Sequence, residues 1–278
     1  MAKIYPGFKM EKKDDGYTIY WKGKKVSDSL GFEVLRKREL KNIFLVGSGP
    51  SLGGVDPYLF TDKATCTLNG SIQFFLDVGI VPTYHVISDE SFVENRWELV
   101  KKVLEQDELI GFYTPQALSE ICKRDASLLN GRKFIVFENH FKNYGEKALD
   151  YSDVLNMSLA DDRLITSDGK IGFSLDSSLG VFSAHTVMYF ALQLMYFIGF
   201  RQFFLLGFDL GGSKRRFYED GASATPSHLD RDYDSAIYPS FEVVSRLVEQ
   251  GVFQVYNCTP ESRLPSSLIQ KAPLKKCL

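Results

Sequence analysis

The run Ile43-Phe44-Leu45-Val46 has no polar face, and it breaks at once into Gly47-Ser48-Gly49-Pro50-Ser51. A short apolar run without alternation suits a strand buried on both faces of a parallel sheet. Two glycines then allow a tight turn and close backbone approach to a ligand. Exposed amides, with the hydroxyls of Ser48 and Ser51, would make a small anion-binding nest. The stretch reads as the first strand of a nucleotide-binding α/β domain with its phosphate or ribose loop. The dinucleotide fingerprint wants a third glycine where Leu52 stands, and no Lys-Ser/Thr pair makes this a Walker loop. An ordinary strand-to-helix turn fits the same residues, so the rest of the chain must decide.

From Asn42 onward, short apolar runs alternate with helical patterns. Strands are expected at 64–68, 84–87, 109–113, 134–137, 202–206 and 253–256. Helices are expected at 71–78, 93–105, 116–123, 181–198 and 238–250. This alternation argues for a doubly wound, mostly parallel, Rossmann-like α/β sheet. The 181–198 pattern is apolar all round and should lie under the sheet, with Gly199 closing it. Residues 139–172 show no clear period and read as a long loop, and 211–234 as a second one. Residues 1–40 differ: Asp14-Asp15-Gly16 and Lys22-Gly23 mark turns of a β-hairpin extension, leaving 41–278 as the Rossmann-like domain. The lysines beside Tyr17, Tyr20 and Trp21 would serve either as a solvated face or as a contact with an anionic membrane surface.

Composition narrows the function. A net charge of -2 gives no basic field for nucleic acid. Cys66, Cys122, Cys258 and Cys277 have no metal-ligand spacing, which suits a reduced, cytoplasmic protein. Met1-Ala2-Lys3 leads into no apolar signal region, and the 187–200 stretch, interrupted by Gln193 and Gly199, is too short to span a bilayer.

In open α/β sheets, ligands sit beyond the carboxyl ends of the strands. Those ends carry Ser48, Asn69, Asp89, Thr114, Glu138, Asp209 and Asn257. Asn69 either reaches a ligand or forms a turn, and Asp209 either holds a ribose hydroxyl or caps the next turn. The 211–234 segment carries Arg215, Arg216, Tyr218 and His228. Arginine pairs with phosphate or carboxylate, tyrosine can donate to a departing phosphate oxygen, and His228 is the best-placed general base. A solvated Lys-Arg-Arg loop is the plain alternative. His85, in a strand, and His185, in the buried helix, read as structural. His140 is uninformative.

Gly47-Ser48-Gly49-Pro50-Ser51-Leu52 resembles the opening motif of the small bacterial sialyltransferases that use CMP-sialic acid. So do Leu68-Asn69-Gly70, Leu206-Gly207-Phe208-Asp209 and Cys258-Thr259-Pro260-Glu261-Ser262. Leu68-Asn69-Gly70-Ser71 with Ile80-Val81-Pro82, Ser178-Leu179-Gly180 with His185-Thr186, Gly207-Phe208-Asp209-Leu210 and Arg216-Phe217-Tyr218 are similar to the family that adds a third Kdo to the lipopolysaccharide inner core. The resemblance implies a GT-A-like variant of the fold with a lid at about 211–234. It implies a CMP-activated Kdo or sialic acid donor and a glycolipid acceptor reached from the inner face of the cytoplasmic membrane. It implies nucleotide contacts from Gly47, Ser48, Gly49, Pro50, Ser51, Asn69, Ser178, Asp209 and Thr259. Catalysis would fall to Tyr218, Arg216 and His228, although the lid spacing here differs from the sialyltransferase pattern. These families lack an Asp-x-Asp metal site, and neither Ser88-Asp89-Glu90 nor Asp161-Asp162 makes one, so no metal or other cofactor is expected. Two other readings stay open: a pterin pyrophosphokinase-like diphosphotransferase needing Mg²⁺ and ATP, and a non-catalytic nucleotide-binding protein. Oligomeric state is left open.

Overall fold

The computed structural model describes residues 5–36, 40–141, 143–211, 216–218 and 229–278. The chain opens with three antiparallel strands, β1 (Phe8–Lys12), β2 (Tyr17–Trp21) and β3 (Lys24–Asp28). The expected hairpin is therefore a three-stranded sheet, in which Phe8 and Met10 of β1 are buried against the same cluster as Ile19. This small sheet covers the far edge of the main one. Leu30 donates its amide to the Phe134 carbonyl at 2.7 Å, the Tyr17 phenol donates to Glu138 at 3.1 Å, and the Tyr144 phenol to the Phe8 carbonyl at 2.8 Å. Covering an edge strand removes a row of unpaired backbone groups. Of the lysines there, Lys9 pairs with Glu11 and Lys25 with Asp28.

The main sheet contains β4 (Leu40–Val46), β5 (Thr65–Leu68), β6 (Tyr84–Ile87), β7 (Ile110–Tyr113) and β8 (Phe134–Val136). A hairpin of β9 (Leu164–Thr166) and β10 (Gly172–Ser174) follows, and then β11 (Phe200–Leu206) and β12 (Gln254–Asn257) complete the sheet. Its seven strands run in the order β12-β11-β4-β5-β6-β7-β8, and every neighbouring pair is parallel. The chain leaves β4 in one direction and returns to its other side at β11. The topological switch point, where such sheets bind ligands, thus lies between β4 and β11.

The Val187–Ile198 helix lies against β4, β5, β6 and β11, with Gly199 at φ +127° ending it. Gln193, the polar interruption in its apolar run, is fully buried. Its Oε1 accepts from the amides of Ser174 and Phe182 at 3.0 and 2.9 Å, and its Nε2 donates to the carbonyls of Phe182 and Tyr189 at 2.9 and 3.0 Å. A buried amide so satisfied ties hairpin, strand end and helix together. Because Val181 pairs with Asn139 and Phe182 with Gln193, the helix begins at Val187 and not at Val181.

The segment 139–172, expected as a loop, contains the Tyr151–Ala160 helix and the first strand of the β9–β10 hairpin. Asp150 and Asp153 form a reciprocal capping box at 2.9 and 3.0 Å. Only Val154 of that helix is buried, so it carries almost no hydrophobic period. The expected 93–105 helix is two, Glu90–Asn95 and Trp97–Leu104, broken at Arg96 with φ -128° and ψ 37°. Of the proposed lid, residues 212–215 and 219–228, including Arg215 and His228, lie outside the described residues.

Two buried histidines make stability depend on pH. The His85 Nδ1 lies 2.8 Å from the Thr67 hydroxyl, and burial pushes its pKa from 6.5 down to about 3. His140, packed on Phe182, is pushed down to about 4 by burial. Below about pH 6.5 the unfolded chain takes up protons that these rings refuse when folded. Their contribution is therefore complete above pH 6.5 and falls as pH drops, by about 1.4 kcal/mol per unit for each ring. Glu138, whose pKa burial raises, acts with the opposite sign. Urea titrations at about pH 6 and pH 5, above most carboxylate titration, should show lower stability at pH 5. The difference should shrink in His85→Gln, and an identical slope in that variant would contradict the assignment.

Candidate active site

The first residues of the loop after β4 are tied to the end of β11 through backbone hydrogen bonds. The Gly47 amide donates to the Leu206 carbonyl and the Gly49 amide to the Gly207 carbonyl, both at 2.8 Å. A Cβ on Gly47 would fall 2.7 Å from the Gly207 carbonyl oxygen, and one on Gly49 would fall 1.8 Å from Asp209 Oδ2. These glycines are required by close approach, not by an unusual φ. Gly207 itself has φ +58° and Leu210 φ +60°.

The Ser51 hydroxyl donates to Asp209 Oδ2 at 2.7 Å, and its amide reaches Oδ1 at 3.3 Å. Asp209 is therefore a staple across the switch point, buried at 5% exposure. The loop amides of Gly47, Gly49 and Ser51 all bond within the protein, so the expected nest of exposed amides is reduced to Ser48. Pro50 starts the short 3-10 turn Pro50–Gly54 and has no amide hydrogen to give.

Asn69 follows β5 with φ +47°, and its Oδ1 is buried with no hydrogen-bond partner among the described residues. An orphaned buried oxygen calls for a donor that the described residues do not supply. Ser71 donates to the Val46 carbonyl and accepts from the Leu68 amide, which locks this corner to the end of β4. The 216–218 stretch reaches the same place: the Phe217 amide donates to the Ser48 carbonyl at 3.2 Å, and Phe217 packs edge-on against Phe74. Tyr218 lies on Gly70, where a Cβ would fall 2.3 Å from the phenol oxygen. The Arg96 guanidinium lies 4.6 Å from the Tyr218 ring centroid, and a cation over an aromatic face is attractive. Ser48, Asn69 and Tyr218 are thus brought together, and Arg216 begins the stretch that delivers Tyr218.

Thr259 and Ser178 are placed differently. Thr259 Oγ1 accepts from the Phe208 amide at 3.0 Å, and Ser262 donates to the Phe208 carbonyl at 2.6 Å, so Thr259 braces the Asp209 turn from behind. Ser178 gives both its amide and its hydroxyl to Asp176, in a segment that runs beside Asn139 beyond β8. No hydrogen bond among the described residues joins it to the glycine loop.

Two groups, Arg96 and Asp232, were not read from sequence, and His185 was read there only as structural. Arg96 is marked only by the break between two helices. His185 precedes the buried helix instead of lying within it, half exposed at φ +55°. Its Nδ1 is 2.9 Å from Asp232 Oδ2, a contact between residues far apart in the chain. Asp89 caps its helix through the Ser91 amide, and Glu138 is held by Tyr17 and the Tyr144 amide.

A family model for the 3-deoxy-D-manno-octulosonic acid transferase WaaZ matches residues 27–270. The chain belongs to that family. A probable 3-deoxy-manno-octulosonic acid transferase of Salmonella typhimurium is 23% identical over 244 residues, which cover 85% of this chain and 88% of that protein. A probable transferase of the same description from Escherichia coli is 25% identical over 232 residues, covering 82% and 80%. Among solved structures, the chain is similar to the sialyltransferase CstII of Campylobacter jejuni in complex with CMP-3FNeuAc. The TM-score is 0.41 at 15% identity, with 84% of this chain and 87% of that one covered. It is also similar to the MAf glycosyltransferase of Magnetospirillum magneticum, with TM-score 0.43 and 15% identity over 87% of this chain and 36% of that one.

In this glycosyltransferase the switch-point loop depends on the missing side chain of Gly49. Gly49→Ala should cost about 3 kcal/mol by overpacking against Asp209. Ser51→Ala should cost about 1–3 kcal/mol by taking a donor from a buried carboxylate. Urea unfolding measures both, and a Gly49→Ala protein of unchanged stability would contradict the close approach.

Proposed function

We propose that this enzyme transfers Kdo from a CMP-activated donor to a lipopolysaccharide inner-core glycolipid, with inversion and without an obligatory metal. The carrying observation is the gathering of Ser48, the orphaned oxygen of Asn69 and the Tyr218 phenol beyond the ends of β4 and β5, beside the β4–β11 switch point. Membership in the Kdo transferase family supports the sugar, and the glycine-loop and asparagine motifs support the CMP carrier.

In this reading the cytidine monophosphate lies along the Gly47–Ser51 loop. Asn69 Oδ1 accepts a donor from the nucleotide. The acceptor hydroxyl gives its proton to His228 and attacks the anomeric carbon. The bond from that carbon to the phosphate oxygen breaks, and its electron pair leaves with CMP. A single displacement inverts the centre. One phosphate leaves with less charge than a diphosphate, and Arg216 with the Tyr218 hydroxyl balances what develops. Arg96 over the Tyr218 ring makes that phenol a better donor. Among the described residues no helix is long and apolar enough to cross a membrane. A glycolipid acceptor then implies peripheral contact with the inner face of the cytoplasmic membrane.

Calorimetry and thermal shift separate this from a nucleotide kinase. CMP should bind and raise the melting temperature in the presence of a chelator, whereas stabilisation by ATP with Mg²⁺ alone would overturn the reading. Tyr218→Phe and Arg216→Ala should lower kcat by at least about tenfold while weakening CMP binding much less, as expected for groups acting on charge that develops during transfer. Equal losses in binding and turnover would restrict both to holding the ground state.

A further inference from the structure

His185 and Asp232 form a pair that the assigned chemistry does not use. The Val187–Ile198 helix runs back beneath the sheet into β11, so the residues just before it lie at the carboxyl ends of the strands. Asp232 reaches the same rim from another element. The following residue, Tyr233, donates its phenol to the Arg263 carbonyl at 3.0 Å, the Arg263 guanidinium lies 3.7 Å from the Tyr233 ring centroid, and the Arg263 amide donates to the Asp209 carbonyl at 2.9 Å. A short chain of contacts thus runs from the Asp209 staple to Asp232 and on to His185.

The pair has a definite polarity. Asp232 also accepts from Arg231, at 2.8 Å on Oδ1 and 3.2 Å on Oδ2. The Arg231 hydrogen bond, with that of His185, holds its carboxyl down to about 2. An ionised carboxylate only accepts, so Nδ1 must carry the imidazole proton. In the neutral ring Nε2 is then an acceptor, and it has no partner among the described residues. The Asp232 side chain is 11% exposed and that of His185 53%. The buried member therefore holds the ring, and the exposed member presents Nε2.

Stability alone does not account for this arrangement. An ion pair with one exposed partner contributes little. The His185 backbone stands at φ +55°, which costs less for glycine. Residues Tyr233–Ile237 form a π-helical turn directly after Asp232, a geometry that occurs often at functional sites.

We propose that His185 is a sugar-binding residue, accepting a hydrogen bond at Nε2 from a hydroxyl of the transferred or the receiving sugar, and that Asp232 is its positioning residue. The inference rests on the glycosyltransferase reading above and leaves proton abstraction to His228. A hydroxyl is the matching ligand because a neutral Nε2 needs a donor and sugars supply donors in that form.

Steady-state kinetics with CMP-Kdo and a deacylated, Kdo-containing inner-core oligosaccharide test it. His185→Ala should raise KM for one of the two substrates by about tenfold, the scale of one lost hydrogen bond, with kcat little changed. A rise for CMP-Kdo places the hydroxyl on the donor, and a rise for the oligosaccharide places it on the acceptor. His185→Gln, whose amide oxygen can reach the Nε2 position, should recover most of the loss. Asp232→Asn, which no longer fixes the tautomer, should fall between. His185→Phe, which fills the place but cannot accept a hydrogen bond, carries the test if Ala does not fold. Unchanged KM for both substrates in the Ala or the Phe variant would overturn the proposal. So would a large fall in kcat with loss of the acidic limb of the pH profile in both variants, because His185 would then be the base. No transfer by the wild-type enzyme would sink the transferase reading and this inference with it, whereas transfer indifferent to residue 185 sinks the inference alone.

Discussion

The backbone of Gly47–Gly49 lies directly against that of Gly207–Asp209, and the rest of the site depends on that approach. Two strands that are neighbours in the sheet are far apart in sequence, and their ends meet only because no Cβ stands between them. The Asp209 carboxylate then closes the junction by holding Ser51. With the loop fixed, its outward features are few: the residues around Ser48, the orphaned oxygen of Asn69 and the phenol of Tyr218.

The layers below serve this junction. The apolar helix before β11 aligns β11 beside β4, and Gln193 in its middle fixes the strand ends that lead into it. Ser71 holds the corner after β5 to the end of β4. Thr259 and Ser262 hold Phe208 from the other side. Each of these polar groups is buried and satisfied, so it specifies position at little net cost. Asn69 is the exception at this corner, since its Oδ1 is buried with no hydrogen-bond partner among the described residues.

The sheet was largely legible because buried parallel strands are short apolar runs bounded by turns, and Ile43–Val46, Tyr84–Ile87 and Phe203–Leu206 look the part. The Tyr151–Ala160 helix was not, because it buries one residue and so carries no period; its one signal was the Asp150–Asp153 capping box. The glycine loop was legible as a place of close approach, but its partner was not. Sequence suggests an exposed amide nest, whereas the amides bond across to β11. Asp209 was open between a ligand contact and a turn cap, and it bridges to Ser51, a choice that depends on which strands neighbour each other. His185 was read into the helix because Ala184 and Val187 flank it in an apolar run. Its pairing with Asp232 is tertiary and leaves no local trace.

The most direct test of the account is the crystal structure of the full-length protein soaked with CMP. The account predicts cytidine monophosphate in the crevice between β4 and β11, along Gly47–Ser51, with a nucleotide donor on Asn69 Oδ1 and the Tyr218 hydroxyl on a phosphate oxygen. CMP bound elsewhere on the sheet, or bound in that crevice with Asn69 Oδ1 still unpartnered, would contradict it.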